Sequence, residues 1–368
     1  MHSVDKRMRQ KLPQLDGVRG VAILLVIFHN AGERFPALHL QGIFANGWMG
    51  VDLFFVLSGF LITGILIDTK RSEGYLRNFY ARRCLRIWPL YYSLIFFMFV
   101  VLPFLNRSEG HTIFERSSPW WAYPLFLQNF LISPVSTSAA GPLSVTWSLA
   151  IEEQFYLVWP WVVRFCSYTQ LRRIAIAVIC LSPALRFYLS RQHVELYTNV
   201  FCRLDGLMAG AFLALVVRAD NFLPSKFVKH AWLSLLIATP LAFFIEAFHA
   251  RWVVFSLSAV ASAAFVYLSL FSTQKWLQVG LMNRFMVYTG TISYGLYLLH
   301  KFPFGMVQTL RLDRYPFLAM TTILLGSYAI AALSWHLLEK PFLRLKQFFE
   351  SRPVRDDGAD NQFGGVPT

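Results

Sequence analysis

The sequence predicts an all-α protein, a polytopic integral membrane bundle of about ten transmembrane helices with both termini in the cytoplasm. Of its 368 residues, 56% are hydrophobic and only 15% are charged, whereas soluble domains have about 25% charged residues. The apolar residues are concentrated in runs of roughly twenty, which is the length that crosses a hydrocarbon core of about 30 Å. Lys and Arg collect between alternate runs, as the positive-inside rule describes.

Ten runs are apolar enough to be interpreted as transmembrane spans. They lie near 15–33, 48–68, 87–105, 147–165, 173–190, 202–218, 231–248, 252–272, 286–309 and 316–338. We therefore divide the chain into a basic cytoplasmic N-terminus (1–11), one transmembrane domain (12–345) and a polar cytoplasmic tail (346–368) that we expect to be disordered.

The charge pattern sets the expected orientation and excludes several classes of protein. Lys6, Arg7, Arg9 and Lys11 precede the first span, so the N-terminus is expected inside, and an even number of spans returns the C-terminus to that side. The net charge of +14 does not indicate a nucleic-acid partner, because no basic domain outside the spans is present. The four cysteines have no metal-ligand or disulfide spacing. No Ala-x-Ala cleavage site follows the first run, so we expect that run to be retained.

The first apolar run, "GVRGVAILLVIFH", ends in an imidazole. At 1.5 Å per residue, His29 is expected about 21 Å above residue 15, in the outer half of the bilayer. An ionisable group at that depth is a candidate functional residue and needs polar partners. Several other ionisable or polar residues are expected at a similar depth and would form one polar chamber with it: Asp52, Glu152, Glu153, Arg203, Asp205, Tyr297 and His300.

Structural roles are the alternative for each chamber residue. Any one of them could reach the membrane interface by extending its side chain, and His29 could form a hydrogen bond between helices. Because adjacent helical residues point about 100° apart, one of Glu152 and Glu153 can face away from the chamber.

A second group of residues is expected at the cytoplasmic face. Arg82, Arg83 and Arg86 lie among aromatic residues in "FYARRCLRIWPLYY", and Arg83 and Arg86 share a helix face. Arg19 lies ten residues before His29, about 15 Å along the helix. Arginine binds phosphate in a bidentate manner, although topology signalling explains part of this charge. Together the two groups suit a donor with a phosphate-bearing head and a thin arm, such as an acyl-coenzyme A.

Five motifs carry a resemblance to a known family. "LDGVRGVAILLVIFH", "GVDLFFVLSGFLIT", "FYARRCLRIWPLYY", "WSLAIEEQFYL" and "SYGLYLLH" occur in this order and resemble the membrane-bound acyltransferase family 3 (AT3) over about residues 12–345. The resemblance implies that His29 is essential, that Arg19, Arg83 and Arg86 engage the donor, and that Glu152 is the acidic residue of the fourth motif. Some family members carry an extracellular hydrolase-like domain after the membrane part, and we expect this chain to work without one.

The resemblance implies O-acylation of a sugar-containing acceptor at the bacterial inner membrane. Acceptors in the family include exopolysaccharide, lipopolysaccharide, nodulation factors and macrolides. We expect acetyl-CoA as a co-substrate, no permanently bound cofactor or metal, and glycan-assembly proteins as candidate partners. His29 would act as general base or transient acyl carrier, and Glu152 or Glu153 would orient its ring. The alternatives are a transporter or flippase without covalent chemistry, and an inactive relative that scaffolds a glycan-assembly complex.

Overall fold

The computed structural model describes residues 12–36, 39–40, 44–106, 112–113, 115, 117–131, 141–219, 222–247 and 250–349. Within these residues every regular element is a helix and no strand occurs, which confirms the all-α prediction. The basic segment 1–11 and the tail residues 350–368 lie outside the described residues. The expected disorder of the tail needs a correction at its start, because a 3-10 helix covers Leu345–Phe349; the division into domains stays a prediction.

Fourteen labelled helices form the bundle among the described residues. They are α1 (Pro13–Arg34), α2 (Met49–Asp68), α3 (Tyr75–Phe96), α4 (Thr146–Phe165), α5 (Tyr168–Arg191), α6 (Val200–Val217), α7 (Pro224–Ala247), α8 (Arg251–Phe271), α9 (Lys275–Met282), α10 (Arg284–Thr291), α11 (Ser293–Leu299), α12 (Phe302–Thr309), α13 (Pro316–Ser334) and α14 (Lys340–Arg344). The π-helical segments Phe97–Val101 and Trp335–Glu339 extend α3 towards a short helix at Leu102–Leu105 and join α13 to α14. Shorter helical segments lie at Trp120–Ala122, Gln128–Leu131, Gly141–Val145 and Leu312–Arg314.

Eight helical segments in the described part of the chain are long and apolar enough to cross a membrane. These segments are Pro13–Arg34, Met49–Asp68, Tyr75–Leu105, Tyr168–Arg191, Val200–Val217, Pro224–Glu246, Trp252–Phe271 and Pro316–Phe349. They match eight of the ten predicted spans, including the short one near 202–218. The other two differ for identifiable reasons, so the total of ten stays a prediction.

The two remaining predicted spans differ in kind. The fourth is the continuous helix α4, whose hydropathy is lowered by the polar run Glu152, Glu153 and Gln154. The ninth, predicted as one helix over 286–309, is instead the three short helices α10, α11 and α12. One break falls at His300 and Lys301, directly before Pro303 in the first turn of α12. Proline is favoured in the first turn of a helix because the backbone N–H that it lacks has no hydrogen-bond partner within the helix there.

Helix α2 lies at the centre of the bundle and packs against α1, α4, α6 and α8. By contrast, α5 and α7 turn large apolar side chains outward, including Leu181, Leu236 and Phe244. Such a surface is stable only where lipid replaces water. The apolar outer surface and the eight long apolar helices define an integral membrane protein.

The central crossing of α2 and α6 depends on glycine at the contact. A β-carbon built on Gly59 would lie 1.9 Å from the Leu207 carbonyl oxygen, and one built on Gly210 would lie 2.0 Å from the Val56 carbonyl oxygen. Both atoms opposite are backbone atoms, which cannot rotate away. The two backbones therefore approach closely enough for dispersion contacts to hold the helices together, as small residues allow in membranes.

We expect Gly210→Ala to destabilise the bundle by about 1–3 kcal/mol, because the added methyl group forces α2 and α6 apart. The measurement is the temperature at which half of the detergent-solubilised protein is lost from the monodisperse peak in size-exclusion chromatography. Gly305→Ala is the matched control, because nothing lies within 4 Å of a β-carbon at Gly305. Equal thermal stability of the two variants would contradict the close crossing.

Candidate active site

A cavity of about 110 Å³ lies inside the bundle between α1, α2, α3, α4 and α11. Apolar side chains such as Phe54 and Leu149 form part of its wall. The polar residues of the wall are Arg19, Ser58, Arg83, Arg86, Ser148, Glu152, Tyr156, Ser293, Tyr294 and Tyr297. Small-molecule sites are typically about 300–1,000 Å³, so in this state the cavity admits only a thin part of a ligand.

Arg19, Arg83 and Arg86, which we call the arginine cluster, bring three guanidinium groups to this wall against the one carboxylate of Glu152. Arg19 Nη1 donates a hydrogen bond to Asp16 Oδ1 at 2.6 Å. The Arg83 guanidinium lies 5.8 Å from the ring centroid of Phe79 and 5.9 Å from that of Tyr156. Its Nε is buried and has no acceptor among the described residues. Among the described residues Arg83 and Arg86 form no ion pair, and such cations in a buried wall favour an anionic ligand.

Glu152 is held at the same end of the cavity as the arginine cluster. Ser58 Oγ donates a hydrogen bond of 2.7 Å to one carboxylate oxygen, and the Tyr156 hydroxyl donates one of 3.0 Å to the other. Glu153 is absent from the cavity wall, and its Oε1 is buried without a partner among the described residues. The two adjacent glutamates therefore point in different directions, as helix geometry requires.

The structure places His29 apart from both glutamates. Its Nδ1 lies 3.1 Å from the Phe44 carbonyl oxygen, and its Nε2 lies 3.4 Å from Glu33 Oε1. The predicted orientation of the His29 ring by Glu152 or Glu153 needs a correction, because the Phe44 carbonyl and the Glu33 carboxylate contact the two ring nitrogens instead. His29 and Glu152 contact different levels of α2 and the segment before it. Gly47 packs on His29, whereas Glu152 is bonded to Ser58, eleven residues further along the chain.

The surroundings of His29 select one ring nitrogen for chemistry. A carbonyl oxygen only accepts hydrogen bonds, so the bond to Phe44 requires the proton on Nδ1 and leaves Nε2 as the basic atom. The Phe44 ring stacks on Phe28 with centroids 4.6 Å apart, which holds this carbonyl in place. The side chain of His29 is 14% exposed and that of Glu33 is 65% exposed. Nε2 therefore faces the solvent-exposed Glu33 carboxylate, which can accept a hydrogen bond from Nε2–H when the ring is protonated.

The predicted chamber residues divide into separate groups. Asp52 forms a buried ion pair with Arg203, and Asp205 forms one with Arg186 at 2.8 Å between Oδ2 and Nη2. Arg203 also lies 4.1 Å from the ring centroid of Phe255. None of these residues lines the cavity. Each of these carboxylates has an arginine partner, and neither ion pair lines the cavity that holds Glu152 and Tyr297.

Tyr297, in α11, and His300, at the C-terminal end of that helix, lie in different surroundings. Tyr297 lines the cavity, forms a hydrogen bond with Ser148 and donates one of 3.1 Å to the Val145 carbonyl. His300 is fully buried, and its Nδ1 lies 2.8 Å from the Tyr297 carbonyl. Its Nε2 has no partner among the described residues. Tyr297 thus closes part of the cavity wall, whereas His300 lies behind it.

Breaking the Asp52–Arg203 pair tests its structural role. We expect Arg203→Ala to cost about 3–5 kcal/mol of stability, because it leaves the Asp52 carboxylate buried without its cation. The double variant Asp52→Ala/Arg203→Ala is expected to be more stable than Arg203→Ala alone. Thermal unfolding of the three proteins in the same detergent provides the measurement. Wild-type stability of Arg203→Ala with loss of turnover would instead assign Arg203 to ligand binding.

Several site residues were missed by sequence reasoning. Glu33 lies four residues after His29 and Tyr156 four residues after Glu152, so the spacing of one helical turn could have indicated both. Asp16 precedes Arg19 by three residues in the same way. No local pattern indicates Ser58, which is 94 residues from Glu152 in the chain, or the Phe44 carbonyl.

These features define a membrane protein with an arginine-lined cavity inside its helical bundle and a separate histidine whose Nε2 faces a glutamate. The family described as "Acyltransferase domain" (Acyl_transf_3) matches residues 12–336. The chain belongs to this acyltransferase family, as the five motifs predicted. No solved structure matches the chain.

Similar proteins come from several bacteria. "Putative peptidoglycan O-acetyltransferase YrhL" of Bacillus subtilis (strain 168) is 31% identical over 362 residues, which cover 90% of this chain and 54% of that protein. "Putative O-acetyltransferase SACOL0978" of Staphylococcus aureus (strain COL) is 28% identical over 92% of this chain and 58% of that protein. "Peptidoglycan O-acetyltransferase OatA" of Listeria monocytogenes is 27% identical over 99% of this chain and 59% of that protein. The chain thus spans somewhat more than half the length of these relatives.

Proposed function

We propose that this protein moves an acetyl group from cytoplasmic acetyl-CoA to a sugar hydroxyl at the bacterial cell membrane. The observation that carries the proposal is the separation of two chemistries along α1. Arg19 belongs to the arginine cluster in the cavity wall, and His29 lies ten residues further on, about 15 Å along the axis. A donor with an anionic head and a long thin arm matches that separation.

Coenzyme A has the charge and shape that the cavity requires. Its diphosphate would accept charge-assisted hydrogen bonds from Arg83 and Arg86, and the Glu152 carboxylate would offset part of the repulsion between the guanidinium groups. Because the cavity is small, it would take the pantetheine arm while the nucleotide stays at the entrance. The thioester at the end of that arm would then point away from the arginine cluster along α1.

The proposed reaction uses Nε2 of His29. In the direct route, Nε2 takes the proton of the acceptor hydroxyl as its oxygen attacks the thioester carbonyl. The new C–O bond replaces the C–S bond, and the imidazolium returns the proton to the leaving thiolate. Glu33 would stabilise the imidazolium in between. In the covalent route, Nε2 attacks the thioester carbonyl, so that a C–N bond replaces the C–S bond and coenzyme A leaves as its thiolate. The acceptor oxygen then displaces Nε2 from the acyl carbon, and the acceptor proton passes through the released imidazole to the thiolate. General-base catalysis of this kind contributes about 10²–10⁴-fold.

The acceptor that we propose is a hydroxyl of peptidoglycan or of a related glycan. Two of the similar proteins carry peptidoglycan in their names, and the chain aligns with them over at least 90% of its own length. Because it spans only part of those proteins, the acceptor must be tested directly. Glycan-assembly proteins that present the acceptor are proposed partners.

The test is acetyl transfer by purified protein in nanodiscs, with acetyl-CoA labelled in the acetyl group. Peptidoglycan fragments and other glycans are offered in parallel, and label in the glycan and free coenzyme A thiol are both measured. We expect labelled glycan and free thiol in equal amounts. Movement of a glycan across the membrane without thiol release would indicate a transporter and contradict the proposal.

A further inference from the structure

Lys346 lies in a part of the chain where sequence reasoning expected only a disordered tail. The 3-10 helix Leu345–Phe349 and the preceding α14 both pack against α3, the helix that carries Arg82, Arg83 and Arg86. Lys346 is half-buried in this packed segment. Since the matched family region ends at residue 336, Lys346 is a feature of this chain beyond that region.

The surroundings of Lys346 are strongly cationic. Arg86, Arg83, Arg82 and Arg19 all lie close enough for their charges to act on its ammonium group. Among the described residues, no carboxylate forms an ion pair with Lys346. Charges of the same sign repel one another, and the repulsion is stronger in a half-buried site than in water. Because the folded segment places this amine beside four arginines, the site favours a ligand with more than one phosphate, whose charges would offset the repulsion.

We propose that Lys346 binds the 3′-phosphate of the coenzyme A donor; this inference rests on the proposed function. The positions of the cationic residues assign the diphosphate and the 3′-phosphate of the donor to different side chains. Arg83 and Arg86 line the cavity, where the pantetheine arm would enter, so they would meet the adjacent diphosphate. Lys346 and Arg82 are not part of the cavity wall, so they would meet the ribose 3′-phosphate, which the small cavity would leave outside. The C-terminal segment thus completes the donor site.

The experiment compares acetyl-CoA with 3′-dephospho-acetyl-CoA as donors for the wild type, Lys346→Ala, Lys346→Arg and Lys340→Ala in nanodiscs. Lys340 is an exposed lysine on the neighbouring α14 and serves as the matched control. We expect Lys346→Ala to raise the KM for acetyl-CoA about tenfold with little change in kcat, since one charge-assisted contact is lost. With the dephospho donor, the wild type and Lys346→Ala are expected to have the same KM. Lys346→Arg should keep most of the affinity.

The two donors separate a phosphate contact from a structural effect. An equal loss with both donors, or no loss with either, would overturn the assignment of Lys346 while leaving the proposed function intact. A wild-type protein that neither binds nor uses acetyl-CoA would overturn the proposed function, and this inference with it. A loss of the same size in Lys340→Ala would mean that overall charge, and not the position of Lys346, sets the affinity.

Discussion

Replacing His29 with alanine is expected to lower the rate of acetyl transfer by at least about 10²-fold, and up to about 10⁴-fold, because the substitution removes the general base. The imidazole is the group whose Nδ1 is fixed by the Phe44 carbonyl and whose Nε2 is left basic. Transfer of label from acetyl-CoA to glycan under saturating substrate measures this loss directly. The covalent route predicts the same loss, because it uses the same nitrogen.

The control for His29→Ala must separate chemistry from folding. His230→Ala removes an exposed histidine near the start of α7, whose Nδ1 lies 3.2 Å from the Lys226 carbonyl oxygen in its own helix. Both variants are expected to elute as monodisperse protein with wild-type thermal stability. If His29→Ala were as stable as the wild type and transferred acetyl at the wild-type rate, the imidazole would be structural and the proposed mechanism wrong.

The double variant Arg83→Ala/Arg86→Ala is expected to raise the KM for acetyl-CoA by about 10²-fold or more. Hydrogen bonds to charged groups contribute about 1.5–3 kcal/mol each, and two of them are lost from the same cavity wall. The effect on kcat is expected to be smaller, since these contacts hold the donor in both the ground state and the transition state. Initial rates over a range of acetyl-CoA concentrations provide the measurement.

A matched control exists for the loss of two arginines. Arg172→Ala/Arg173→Ala removes two exposed arginines in the first turns of α5, which the charge pattern assigns to the same side of the membrane. Its KM is expected to stay near that of the wild type. If both double variants raised KM equally, the cause would be general attraction of an anionic donor to a basic surface, and the arginine cluster would have no specific role.

The overall fold was largely accessible from the sequence because apolar runs of membrane length have few alternatives. The prediction of one continuous helix over 286–309 was wrong for a local reason: Pro303 and the polar pair His300 and Lys301 interrupt an otherwise apolar stretch. Similarly, the tail boundary at 346 missed the packing of Leu345–Phe349 on α3. A hydropathy pattern detects which segments are apolar, and it does not detect where a helix breaks or where a polar segment docks.

The candidate site was accessible in part. The arginine spacing in "ARRCLR" correctly indicated that Arg83 and Arg86 face one way, and both line the cavity. The depth estimates were too coarse: they placed Glu152 beside His29, whereas Glu152 lines the cavity together with Arg19. Depth along a helix is known from sequence only relative to uncertain span ends, whereas the register between α1 and α2 is fixed by contacts such as Gly47 on His29.

Donor binding at the arginine cluster and chemistry at His29, about 15 Å further along α1, are proposed to be separate, so we would first measure the equilibrium affinity of acetyl-CoA for the His29→Ala protein in nanodiscs. We expect a Kd within about twofold of the wild type, a difference below 0.5 kcal/mol, in a protein that no longer transfers acetyl. Loss of binding together with loss of transfer in a correctly folded His29→Ala protein would contradict that separation.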